Sequence, residues 1–283
     1  MRPILGLAFV LAVFAAAPAQ ATPVGTCRFD PATLTFAGTS VEQARCLLRR
    51  VGKFGRLGPA LNVLPPALAT VVGTAPSLDK ARLRAALVAR RMDAASLDKP
   101  VSRARNGQAG APLARYFVIH DTSTPWLMNA PFPPDIDSSA RINGLRRFLG
   151  ADAVAHVFVN RAGETAIGHD FSVPFRATKL ETKVVGLPAK GLFLHIENVQ
   201  PRRRDPQGGP KNDALAPVPG FTDLQYDRLA LLYAVASFRA GHWLVPAFHA
   251  AVDGGLSDAH DDPQNFELAK FDAALAAVLK EVE

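Results

Sequence analysis

The chain has 283 residues, of which 48% are hydrophobic and 20% charged. That balance excludes a disordered chain and supplies enough apolar side chains for one large core or two smaller ones. The formal charge of +7 suits an acidic partner without naming one.

In chain order, the one long apolar run covers residues 4–17, directly behind Arg2, and is too short to span a bilayer comfortably. Residues 1–21 are therefore expected to be a signal peptide, with Ala19-Gln20-Ala21 as the small-x-small cleavage site and Thr22 as the first mature residue. A lipid anchor needs a cysteine directly after the cleavage point, whereas Cys27 stands behind Val24-Gly25-Thr26. The expectation is export, to the periplasm or outside the cell, with no stable membrane insertion after cleavage. In an oxidising compartment Cys27 and Cys46 are expected to pair.

Ser40 with Gln43 reads as a capping box for a helix over 41–50, and Ser77 as the cap of a second helix over 78–92. In the second, Leu83 and Leu87 lie one turn apart, while Arg82, Arg84, Arg90 and Arg91 read as a solvated face. The Ser/Asp/Gly/Asn/Pro-rich stretch 94–112 marks a soft boundary between a smaller helical N-terminal region, 22–111, and a larger unit, 112–283. Beyond it, short strand-forming runs at 116–119, 154–159 and 192–196 alternate with helical patterns at 138–149, 222–240 and 266–282. Thr222 and Gln225 form a capping box, Gly241 a stop, and Leu268, Phe271, Leu275 and Val278 recur at spacings of three and four. The fold class is mixed α/β, a central sheet flanked by helices.

Chemistry gathers where those apolar runs end: His120-Asp121-Thr122-Ser123, then Glu197-Asn198, then Phe248-His249 and the loop to His260-Asp261-Asp262-Pro263. Alone, each is a common structural feature. Together they offer two imidazoles, one carboxylate and a further carboxylate that need not be a ligand, which is what a catalytic zinc site requires.

The order I-H-D-T-S, A-H-V-F-V-N-R-A-G, H-I-E-N-V, F-H-A-A-V-D-G and H-D-D-P-Q-N-F resembles the zinc-dependent N-acetylmuramoyl-L-alanine amidases, from about Arg115 to the C-terminus. The resemblance implies Zn2+ held by His120, His249 and Asp262, with Asp261 and His260 as competitors for the third place. It implies Glu197 as general base, and His260 where many members carry a polarising lysine. It implies His156 near the substrate cleft or behind the site, with an oriented core histidine an equal alternative, and hydrolysis of the amide between the lactyl group of N-acetylmuramic acid and L-alanine. The implied partner is peptidoglycan or muropeptides. Arg176 is a candidate for stem-peptide carboxylates, and Trp126 and Trp243 for sugar stacking or plain packing. The Arg202-Arg203-Arg204 run reads more simply as a solvated cluster than as a wall of the groove.

No G-x-S-x-G elbow, phosphate-binding glycine loop or zinc-finger spacing occurs, and no basic region interleaves with aromatics, so nucleic-acid binding is not expected. The second reading is a non-catalytic peptidoglycan-binding module of the same fold, which would not need His120, His249, Asp262 and Glu197 all intact. The N-terminal region is open between a wall-binding module, a flap over the groove and a packing extension.

Overall fold

The computed structural model describes residues 22–101, 113–207 and 215–283. The expected leader, most of the expected boundary stretch, and residues 208–214 lie outside the described residues.

A short hairpin, β1 (Phe29–Asp30) and β2 (Thr35–Phe36), is followed by α1 (Ser40–Leu47), α2 (Pro66–Val71) and α3 (Lys80–Ala89). The remainder is β3 (Tyr116–Asp121), α4 (Ala140–Asn143), β4 (Val157–Val159), β5 (Thr165–Ile167), β6 (Phe193–Asn198), α5 (Asp223–Ala240), β7 (Val245–Phe248), α6 (His249–Val252) and α7 (Leu268–Val282). Five strands form one sheet in the order β5-β4-β6-β3-β7, parallel except for the edge strand β5. The mixed α/β class and the helices flanking the sheet agree with the sequence pattern.

Side chains alternate across a strand, so register decides which residues meet. Tyr116, Val118 and His120 of β3 stand beside Phe193, His195 and Glu197 of β6. On the other face Phe117 meets Tyr233 of α5 edge-on, ring centres 5.2 Å apart. Tyr233 also packs against Phe271 of α7. Thr222 and Gln225 cap α5 reciprocally, and Gly241 closes it with φ 75.

The segment 22–101 shares one apolar cluster with the sheet. The Tyr116 hydroxyl accepts from the Phe36 N–H (3.0 Å) and donates to Gln43 Oε1 (3.0 Å), seating the hairpin and α1 on β3. Asp272 of α7 accepts from the Ala67 and Leu68 amides, satisfying the otherwise orphaned N–H groups at the start of α2. Cys27 and Cys46 form the expected disulfide.

Several boundaries differ from the sequence expectation. The first helix is capped by Thr39 with Glu42, not Ser40 with Gln43, because Gln43 is buried and donates to the Phe36 and Gly38 carbonyls. Asp79, not Ser77, caps α3. The helix expected over 138–149 breaks at Gly144 into one α turn and one 3-10 turn. Arg90 is not solvated: its guanidinium bonds Asp227 of α5 and Glu281 of α7, tying three helices together.

Candidate metal centre

Three strand ends build the site. His120 and Glu197 are register partners near the C-terminal ends of β3 and β6, and His249 directly follows β7 and opens α6. The chain after α6 returns so that the Ala250 N–H donates to the Asp262 carbonyl (2.8 Å) and the Asp121 N–H donates to the Asp262 carboxylate (3.1 Å). Ligands of open α/β sheets collect at this edge, outside the carboxyl ends of the strands.

Nδ1 of His120 and Nδ1 of His249 face each other at 2.8 Å. An Asp262 oxygen lies 3.0 Å from His249 Nδ1, and the other lies 3.8 Å from His120 Nδ1. The three residues are buried, their ligand atoms fall within 4.8 Å of one another, and the group is able to hold a metal ion. Glu197 Oε1 stands 3.9 Å from His120 Nδ1, and Glu197 Oε2 is buried with no hydrogen-bond partner among the described residues.

Behind these groups, both imidazoles are braced through their far nitrogens. His120 Nε2 contacts His195 Nδ1 at 3.0 Å, and His195 Nε2 lies 3.2 Å from Glu181 Oε2. Glu181, in a π-helical turn at Leu180–Val185, accepts from the Thr178 amide and hydroxyl. His249 Nε2 lies 3.1 Å from Asp253, whose carboxylate also accepts from the Lys179 and Leu180 amides and from His260 Nδ1 (2.8 Å). Carboxylates at the far ends leave Nδ1 of both rings free to bind a metal.

Charge follows from burial. Desolvation, with the neighbouring His249 and His195, holds His120 well below the ordinary imidazole value, in the neutral form a metal requires. Burial opposes charge on His249 too, but the Asp262 and Asp253 carboxylates outweigh it and push that ring up to about 10. Burial and the nearby Asp262 charge hold the Glu197 carboxyl well above the usual range.

A cavity of about 410 Å³ opens over the site, its walls including His120, Glu197, His249, His260, Asp262 and Arg176. His260 stacks on His249 with ring centres 3.9 Å apart, and its side chain is 41% exposed. His249, Asp253 and His260 form a second triplet of suitable spacing, but Asp253 already accepts from two amides and from His260, with His249 Nε2 3.1 Å away. Asp261 is drawn away to Arg202 (3.2 Å) and Gln264 (2.6 Å). Asp262 is therefore the carboxylate best placed beside His120 and His249.

Other expected residues take different places. His156 is fully buried: its Nδ1 accepts from the His195 amide (3.0 Å) and its Nε2 donates to the Val173 carbonyl (3.1 Å), so it orients β6 and presents no surface to a substrate. Trp126 is 36% exposed but lies outside the cavity wall, and Trp243 packs in the core against Tyr233. Arg202, read from sequence as part of a solvated cluster, is fully buried between Asp121 (2.6 Å) and Asp261 (3.2 Å). The sequence reading also missed His195, Glu181 and Asp253. Of these, only the alternation of His195 with Glu197 along one strand face carried a signal.

The chain matches no family model, no curated protein and no solved structure at a significant level. The Cys27–Cys46 disulfide is consistent with an oxidising compartment, and no helix among the described residues is long and apolar enough to cross a membrane.

Proposed function

We propose that the protein is an exported, zinc-dependent N-acetylmuramoyl-L-alanine amidase. It hydrolyses the amide that joins the lactyl group of N-acetylmuramic acid to L-alanine in peptidoglycan or its fragments. The observation that carries this reading is the convergence of His120, His249 and Asp262 beside the buried, unpartnered carboxylate oxygen of Glu197. Two imidazoles with one carboxylate, and a further carboxylate that is not a ligand, make the donor set of hydrolytic zinc sites.

Zinc bound by these residues would supply a water of lowered pKa and polarise the amide carbonyl. The chain's own groups do the rest. Glu197 enters the step as the carboxylate, which burial makes a stronger proton acceptor; it takes a proton from the attacking water and returns it to the departing amine nitrogen, ending ionised again. His260, fixed through Nδ1 by Asp253 and half-exposed in the cavity wall, donates to the oxygen that gains negative charge. Arg176 lines the same cavity and pairs with a stem-peptide carboxylate. The motif order from His120 through Asp262 supports the substrate choice by resemblance, and the disulfide supports export.

Mass analysis of the products from purified sacculi tests the reading. Free peptides beginning at L-alanine, with the glycan intact, are the expected outcome. Cleaved glycan would overturn it, and binding to sacculi without cleavage would favour a non-catalytic module.

A further inference from the structure

The loop between α1 and α2 carries a feature that the proposed chemistry leaves unused. Its neck is closed by backbone hydrogen bonds, Gly52 N–H to the Arg56 carbonyl and Gly58 N–H to the Arg50 carbonyl, both 2.8 Å. At its tip Phe54 has φ 58 and ψ 34, a left-handed conformation that bulky residues rarely adopt, and its ring is 46% exposed. Such strain persists only where the surroundings enforce it, and it concentrates at functional sites.

The enforcing contacts lead to the metal centre. Lys53 is ion-paired with buried Asp205. Gly55, with φ 68, lies so close to the site loop that an added Cβ would come 2.8 Å from Asp261 Cα and 3.1 Å from the His260 carbonyl oxygen. The tip is thus pressed against the two residues that precede Asp262. Beside Phe54 runs a groove of about 470 Å³ lined by Arg50, Lys53, Phe54, Arg56 and Leu57. Arg50 and Arg56 are exposed and have no acidic partner among the described residues.

An exposed ring flanked by two unpaired guanidinium groups suits a ligand that combines flat or apolar faces with carboxylates. We infer that Arg50, Phe54 and Arg56 form an accessory subsite for the carboxylate-bearing, peptide-substituted glycan of polymeric substrate where it leaves the metal cavity past Asp261. This rests on the amidase reading and gives it a substrate class, polymeric wall rather than small fragments alone. It also assigns part of the N-terminal region to substrate binding.

The test is co-sedimentation with purified sacculi, using full-length mature protein carrying Glu197→Gln so that the polymer stays intact. Adding Phe54→Ala, or separately Arg50→Gln with Arg56→Gln, should weaken retention about tenfold, while Val63→Ala, an exposed position elsewhere in the region, should leave it unchanged. The Arg variants change only surface charge, which keeps the test valid if Phe54→Ala fails to fold. Retention equal to the Glu197→Gln protein in both sets, or lost equally with Val63→Ala, would overturn the subsite. Failure of the amidase reading shows separately, as unmodified zinc-loaded protein that is retained on sacculi but releases no stem peptide from them.

Discussion

Nε2 of His120 rests 3.0 Å from Nδ1 of His195, so the first candidate ligand is braced by a second imidazole, and that one in turn by Glu181 at 3.2 Å. Removing an outer partner of a metal ligand typically costs 10- to 100-fold in affinity. Glu181→Gln keeps the shape and removes the charge, and it should weaken metal binding by about that factor, measured by competition with a chromophoric chelator. Affinity equal to the parent would show that His120 is oriented by packing alone.

Arg202 is buried against Asp121, and breaking such a pair leaves an uncompensated interior charge. Arg202→Met should therefore cost about 3–5 kcal/mol in chemical denaturation. A loss below about 1 kcal/mol would mean that Asp121 is neutral or finds another partner.

His156 yields a pH dependence of known sign. Burial lowers its folded-state pKa to about 3, against an unfolded value of about 6.5. The unfolded chain then binds more protons between those values, so this contribution to stability is complete above about pH 6.5 and is lost as pH falls towards 3. His120 is shifted in the same direction by its burial. Metal-free protein should lose stability on acidification across that window, and His156→Gln should reduce the slope by up to about 1.4 kcal/mol per pH unit. An unchanged slope would contradict the burial of a neutral ring.

The disulfide joins residues 19 apart and closes a loop whose chain-entropy contribution is about 3 kcal/mol. Directly before that loop, the Thr26 N–H donates to the Gly254 carbonyl (2.6 Å), next to Asp253. Reduction should lower the thermal midpoint by several degrees in calorimetry. No shift would show that the hairpin is held by its aromatic packing alone.

The site residues that could be read in advance are those where a short apolar strand run stops on a polar side chain: His120, Glu197 and His249. Asp262 needed the motif order, because the thirteen-residue path from His249 to its carboxylate depends on a loop no local pattern describes. Glu181 and Asp253 were invisible for a related reason: each acts through contacts with segments distant in sequence, and Glu181 sits in a π-helical turn that propensity does not forecast. Arg202 shows the opposite failure, and His156 falls on the core-histidine side of two readings its sequence left open. The Arg run suggested solvent and the histidine either substrate or core, and burial with full pairing makes both structural elements. For the fold, α5 and α7 were legible from periodicity and caps, whereas β5 and the two-residue strands of the hairpin are too short to impose one.

The central claim, a hydrolytic metal centre with Glu197 as proton carrier, is tested most directly by comparing zinc-loaded parent and Glu197→Gln on purified sacculi, with metal content measured in both. Equal zinc, stem peptide released by the parent, and a rate about 10²–10⁴-fold lower in the variant are the expected results. A parent that is inert with zinc in place, or a variant as fast as the parent, would contradict the account.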